Sequence, residues 1–347
     1  MSGTSFDGVD ASIIETDGEN FIKHIKSVTI EYCKQEKDIY HSQNLQKFQT
    51  LAKAINNKHI LSIKRVIKEA CLNKNDIDII GVHGQTLIHR PQERWSWQYI
   101  DNDMLLKKFK KIVVSDFRLK DINYGGQGAP LVPIFHNALI KNKKNNSYPC
   151  LMINIGGVTN VTVIDTNNNF YGYDIGPGNG PLDKICKERL SLDMDKEGKL
   201  ALEGKVNIKI ASEIKKKILK IDQNSYDRKE LDLLCTTETG KLNTSDALAT
   251  LCYLISDLIR TKIRKYKPKK IILLGGGRKN LAIKSNLNKI FGETVSSAEE
   301  FGVDGDSIES QAFAYLAVRS LLGLPYTFKE TTSVMTPLSG GVLHNYI

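Results

Sequence analysis

Short apolar runs, several of them β-branched, recur along this chain and stop at glycine or at a brief polar stretch. Each predicts a buried strand that hands on to a loop. Ile112-Val113-Val114 stops at Ser115-Asp116-Phe117-Arg118, with a glycine-rich turn at Gly125-Gly126-Gln127-Gly128 beyond it. Ile77–Val82 ends at His83-Gly84-Gln85-Thr86. Cys150–Ile155 runs into Gly156-Gly157-Val158-Thr159-Asn160, and Val161–Ile164 then closes a glycine-tipped hairpin. Tyr173–Pro181 is a further glycine loop, with a helix beginning near Leu182. Lys269–Leu274 leads directly to Gly275-Gly276-Gly277. An apolar run after Ser2–Asp10 and an extended segment over Phe21–Tyr32 open the chain.

Between these runs the apolar spacing is helical. It predicts helices near Leu45–Ile55, Ile60–Cys71, Asp103–Phe109, Leu131–Ile140, Lys205–Ile221 and Ser245–Lys265, and a last one from Ile308 to about Leu322. The polar stretch Lys141–Tyr148 reads as a linker, so the expected domains are 1–145 and 146–347. Strands alternating with helices make the fold class α/β. The 347 residues suffice for two cores of ordinary size.

Composition narrows the function. A 41% hydrophobic and 25% charged chain is that of a globular protein, and no run of about 18 apolar residues predicts a membrane span. No signal-peptide pattern follows Met1, so the expected location is cytoplasmic. Six scattered cysteines without a C-x-x-C pair argue against a zinc site or a disulfide framework. The net charge of +10 comes from lysines dispersed among Ile and Asn. Without interleaved aromatics these are solvated faces rather than a nucleic-acid surface, though they would help attract anionic ligands.

Three kinds of residue carry candidate chemistry. Asp116 lies just past a buried strand, where open α/β sheets place reacting groups; a turn cap or a pairing with Arg118 would account for it equally. His83 and Gln85 end another strand with side chains suited to a sugar, against a purely structural role. The glycine loops near residues 3, 156, 176 and 275 can bring backbone N–H groups close to phosphates. Asp7 and Asp10 beside the first could hold Mg²⁺ directly or through water, although a tight polar hairpin explains the same residues. No Walker A loop, G-x-G-x-x-G fingerprint or H-E-x-x-H is present. Glu309 sits in a helix-opening D-S-I-E-S stretch and, taken alone, complements the helix dipole. Glycine loops in both halves describe a nucleotide clamped between two domains and phosphoryl transfer.

Ser2–Asp10 (SGTSFDGVD), Gly81–Pro91 (GVHGQTLIHRP), Asp116–Pro133 (DFRLKDINYGGQGAPLVP), Asn154–Asn160 (NIGGVTN), Asp174–Asp183 (DIGPGNGPLD), Gly275–Asn280 (GGGRKN) and Ile308–Ala317 (IESQAFAYLA) together resemble one family. It is the anhydro-N-acetylmuramic acid kinases of the actin/hexokinase/heat-shock-chaperone ATPase superfamily, and the resemblance spans essentially the whole chain. It implies a two-domain actin/hexokinase-like ATPase fold with an interdomain cleft. It implies ATP-dependent phosphorylation of 1,6-anhydro-N-acetylmuramic acid with hydrolytic opening of the anhydro ring, a step of peptidoglycan recycling, by a homodimer. The family's ATP loop falls on Gly3, Thr4, Ser5, Phe6, Asp7, Gly8, Val9 and Asp10. Further ATP contacts are expected at Gly156, Gly157 and Asn160, at Gly176, Gly178 and Asn179, and at Gly275, Gly276 and Gly277. The family's catalytic base falls on Asp116 and its late substrate-binding acid on Glu309; His83 and Arg118 complete the expected sugar and phosphoryl contacts. The cofactors implied are ATP and Mg²⁺.

The chain departs from the family in three places: Ser310 follows Glu309 where Ala is usual, Ile175 stands where Thr is commoner, and Met1 stands where an apolar strand precedes the first loop. The last departure leaves a competing expectation, an inactive or regulatory nucleotide-binding protein of the same fold. A kinase acting on a different sugar is a second, weakened by the absence of a cysteine-rich zinc motif.

Overall fold

The computed structural model describes all residues except 4, 5, 43, 144–146, 168, 222–225 and 347. The expected contacts of Thr4 and Ser5, and part of the Lys141–Tyr148 linker, lie outside the described residues. In chain order the first elements are β1 (Gly8–Thr16), β2 (Ile22–Glu31), α1 (Lys34–Ser42), α2 (Phe48–Glu69), β3 (Ile79–Gly81), β4 (Gln85–Arg90), β5 (Trp95–Tyr99), α3 (Asn102–Phe109), β6 (Ile112–Ser115), α4 (Leu119–Asn123) and α5 (Pro133–Asn142). Then come β7 (Cys150–Ile155), β8 (Val158–Ile164), β9 (Phe170–Pro177), α6 (Gly180–Leu190), α7 (Lys199–Glu203), α8 (Ile208–Lys220), α9 (Arg228–Glu238), α10 (Thr244–Ile263), β10 (Lys270–Leu274), α11 (Leu281–Phe291) and β11 (Val295–Ser297). The chain closes with α12 (Ile308–Leu321), α13 (Lys329–Thr332) and β12 (Val342–His344).

These form two compact units, Met1–Asn145 with Ser307–Ile347, and Asn146–Asp306. The last 41 residues therefore belong with the first unit, where a single cut in sequence had assigned them to the second. The reason is pairing. Strand β12 hydrogen-bonds antiparallel to β6, with Val342 opposite Ser115 and His344 opposite Val113, and α12 packs on β1 and β3.

In the first unit β6 lies between β12 and β3, and runs parallel to β3. Val113 and Val114 are wholly buried, which is why this short run is a central strand. β1 and β2 pair as one hairpin and β4 and β5 as another. The two helices expected over Leu45–Ile55 and Ile60–Cys71 are one 22-residue helix, α2. Two polar residues between the expected helices are buried in it and bonded: Asn56 gives a hydrogen bond to the Tyr99 hydroxyl and accepts one from Asp101 N, and His59 Nδ1 bonds Ile55 O at 2.8 Å. The tertiary partners of Asn56 let the helix run through without interruption.

The second unit is built on a five-stranded sheet in the order β11-β10-β7-β8-β9. β10 is parallel to both β11 and β7, while β7, β8 and β9 run antiparallel. Helix α10 is its core helix, with twelve buried residues between Ala247 and Ile263 and a polar face at Asp257 and Arg260. Asn243 caps it by accepting from Asp246 N at 2.8 Å. Among the described residues no helix is long and apolar enough to cross a membrane.

Candidate active site

Asp116 follows the last residue of β6 with φ at 54°, in the left-handed region that Asp tolerates better than most residues. The turn folds its carboxylate back on its own neighbour: Ser115 Oγ donates to Oδ2 at 2.8 Å. Ser115 Oγ also meets Asn102 Nδ2 and His344 Nε2, both at 3.0 Å. Oδ1 of Asp116 takes no hydrogen bond among the described residues, and the side chain is half-buried.

Two residues on, Arg118 reaches His83 at the end of β3. Its Nε and Nη2 lie 3.1 and 3.0 Å from His83 Nε2, and its Nη1 donates to Gly128 O at 2.7 Å. Guanidinium nitrogens only donate, so Nε2 of His83 is the acceptor and the ring proton is on Nδ1, which donates to Gly84 O at 3.1 Å. Burial, and then the Arg118 charge, hold the His83 pKa well below the ordinary histidine value. Burial also brings Arg118 down to about 10, against the pull of Glu309 first and then Tyr326 and Asp121. The Gly125–Gly128 turn is braced by Asp121, which accepts from Gly128 N and from Thr332 Oγ1, each at 2.6 Å. Asp116, Arg118 and His83 are thus gathered around the end of one small sheet.

Glu309 stands in the first turn of α12, as the dipole reading expected, but a second environment acts on it. Its side chain keeps solvent-accessible surface, yet the protein atoms around it push its pKa up, by desolvation first and by the Asp10 charge next, with Arg118 opposing. Ser12 and Ser310 share a hydrogen bond that ties this turn to β1. Asp10 is half-buried in β1 and accepts from Thr29 Oγ1 at 2.6 Å, whereas Asp7 is exposed on the preceding bend. Among the described residues no group of three or more His, Cys, Asp or Glu is arranged for a metal. Asp10 and Asp7 are nonetheless hard carboxylate donors, the type Mg²⁺ takes when phosphates and water supply its remaining ligands. The set fits Mg²⁺ in that role.

At two positions of the expected ATP loop the side chain belongs to the core. The side chains of Phe6 and Val9 are 0% and 1% exposed. Phe6 is stacked against Tyr32 and Tyr40, with centroids 3.8 and 4.2 Å away. These are core residues; only their backbone could meet a nucleotide.

In the second unit the glycine loops converge. Gly178 N and Gly180 N donate to Gly157 O at 3.1 and 3.2 Å, and Asn179 N donates to Gly156 O at 2.6 Å. Asn179 Nδ2 adds a bond to Ile155 O at 3.2 Å. A Cβ on Gly178 would overlap the Gly156 carbonyl oxygen, so only glycine allows this approach. Gly275, at φ 71°, is packed against Asn154 and Ile155, and Gly277 against Ile155. Arg278 is buried and orders the third loop through Gly275 O, Glu299 and Asp306. Gly176 lies at the end of β9, and Asn160 is opposite both Asn154 and Asp174 in the sheet.

Several residues beside these loops and beside Asp116 escaped the sequence reading. Arg228 lies with its guanidinium against Gly157, 3.5 Å from Asp232, whose carboxyl abuts Gly180. Burial raises the Asp232 pKa to about 6 despite Arg228 and Lys184. Both sit in the first turns of α9 and carry no local motif. Asn102 and His344 are 13 and 229 residues from Ser115, and nothing in the sequence links them.

Residues 1–345 match the family model described as anhydro-N-acetylmuramic acid kinase. The chain is 33% identical to the anhydro-N-acetylmuramic acid kinase of Zymomonas mobilis, with 99% of this chain and 98% of that protein aligned. It is 38% identical to the one of Pelagibacter ubique, over 99% and 96%. Its backbone also superposes on the activator of the 2-hydroxyisocaproyl-CoA dehydratase from Clostridium difficile, at a TM-score of 0.45 and 12% identity over 90% and 94% of the two chains. The family-model match over residues 1–345, with relatives 33% and 38% identical over nearly their whole length, leaves one assignment: the chain belongs to the anhydro-N-acetylmuramic acid kinase family and is a phosphotransferase.

Proposed function

We propose that this kinase uses ATP to phosphorylate 1,6-anhydro-N-acetylmuramic acid on O6 as water opens the anhydro bridge, in the recycling of peptidoglycan. The whole-chain family match carries this reading. Asp116 acts as general base: Oδ2 is held by Ser115, and Oδ1 takes a proton from water. The water oxygen bonds to C1 and the C1–O6 bond breaks. O6 then bonds to the γ-phosphorus, and the phosphorus–oxygen bond to ADP breaks. The products are N-acetylmuramic acid 6-phosphate, ADP and one proton, released from Asp116. O6 is a poor leaving group by itself, so coupling its departure to phosphoryl capture lowers the barrier for both events.

Arg118 supplies fixed positive charge and His83 holds it in place, which suits transfer reactions that depend on orientation and charge stabilisation. Glu309 binds sugar or its water. Backbone N–H groups of the Gly156–Gly157, Gly176–Asn179 and Gly275–Gly277 loops, and of Gly3 to Asp10, cradle the phosphates. Mg²⁺, held by Asp10 and by Asp7 through water, would neutralise charge on the phosphate oxygens. We assign the active form to a cytoplasmic homodimer. The test is incubation with Mg-ATP and the anhydro sugar in H₂¹⁸O. One label at C1 and phosphate on O6, with one ADP per sugar, is expected. ADP release without change to the sugar would overturn the reading.

A further inference from the structure

Ser115 Oγ has one proton to give and two lone pairs to fill, and it has three partners. Oδ2 of Asp116, 2.8 Å away, can only accept while the carboxylate is ionised. Asn102 Nδ2, at 3.0 Å, can only donate. The proton of Ser115 therefore goes to Asp116, one lone pair takes Asn102, and His344 Nε2 at 3.0 Å must donate to the other. In this orientation the Asn102 amide leaves its Oδ1 buried without a partner, and the reversed amide would set that oxygen against a carboxylate for a single proton. An ionised acceptor wins that competition.

We propose that His344 and Ser115 are positioning residues for Asp116: His344, protonated on Nε2, keeps the Ser115 proton on Oδ2 and so leaves Oδ1 as the lone pair offered to water. This rests on the reading of Asp116 as the base. Strand β12 thereby has a task beyond closing a sheet edge, because its pairing with β6 is what brings residue 344 to residue 115. A histidine with Nε2 unprotonated would accept from Ser115 instead. Asp116, already in a left-handed backbone conformation, would then lose the contact that orients it.

The expectation for enzyme with ¹⁵N-labelled histidine, at neutral pH, is a His344 resonance with Nε2 protonated. A neutral ring carrying its proton on Nδ1 alone overturns the proposal without any appeal to activity. Ser115→Ala and His344→Phe should each lower kcat about 10- to 100-fold, the scale of one hydrogen bond to a charged group, with KM for ATP and for sugar within about twofold. His344→Gln keeps a donor and should recover most of kcat. The double variant Ser115→Ala/His344→Phe should be no slower than the slower single one. Unchanged kcat in folded Ser115→Ala, together with an inactive Asp116→Asn, overturns the positioning role and leaves the base intact. Full activity in Asp116→Asn removes the base reading itself, and the proposal with it.

Discussion

Arg118 gives both Nε and Nη2 to one nitrogen of His83, at 3.1 and 3.0 Å, so the histidine is a neutral acceptor and the guanidinium has a fixed plane. Lysine has the charge without the fork. Arg118→Lys is expected to lower kcat/KM for the sugar about 10- to 100-fold, since the two bonds to His83 and the one to Gly128 cannot be made together. The KM for ATP should stay within about twofold. Steady-state kinetics with each substrate varied in turn measures this; equal losses for both would place Arg118 in general stability instead.

Asp116→Asn retains the shape of the turn and the contact to Ser115 but cannot accept a proton from water. A general base contributes about 10²- to 10⁴-fold, and kcat should fall within that range while ATP affinity, read by calorimetry, is unchanged. A variant that loses ATP affinity to the same extent would tie Asp116 to nucleotide binding.

Gly178→Ala drives a methyl group into the Gly156 carbonyl. Either the loop shifts or the hairpin tip does, and both carry proposed phosphate contacts. The expected result is at least a tenfold rise in KM for ATP and a loss of about 1–3 kcal/mol in stability, as for overpacked sites. Wild-type KM for ATP in this variant would detach the loop from the phosphates.

His59 is buried in α2, with Nδ1 on Ile55 O and Nε2 without a partner among the described residues. Burial lowers its pKa from 6.5 to about 3. Below pH 6.5 the unfolded chain therefore binds a proton that the folded chain refuses, and stability falls with pH down to about 3. The slope from His59 is about 1.4 kcal/mol per pH unit. His136, also buried and lowered to about 3, adds in the same direction. Urea midpoints at pH 6 and pH 5 should lie further apart in the wild type than in His59→Gln; an identical separation would mean His59 is charged in the native state.

Elements whose signal is local were open to a reading of the residues alone. The Ile112–Val114 run had to be a strand because β-branched side chains without polar interruption fit a sheet buried on both faces. The glycine pair after Ile155 and the triplet after Leu274 end their strands as expected, and Asp116 just past a strand end was a candidate reacting group, its role as base being what the family resemblance implied. What resisted was everything that depends on a distant partner. That one helix, α2, runs through Asn56 depends on Tyr99 and Asp101, which satisfy its side chain. That the Phe6 ring is a core group, leaving its backbone alone for the expected phosphate loop, depends on Tyr32 and Tyr40, against which it stacks.

By itself, then, the amino-acid order settled the fold class, most strand and helix positions, the glycine loops and the family. Only the tertiary structure decided that Ser307–Ile347 returns to the first unit, that Arg228 lies against Gly157, and that His344 meets Ser115 across 229 residues. Propensity and periodicity act over a turn or a strand. A hydrogen bond between remote residues exists only after the sheet has paired and its register has put two side chains on the same spot.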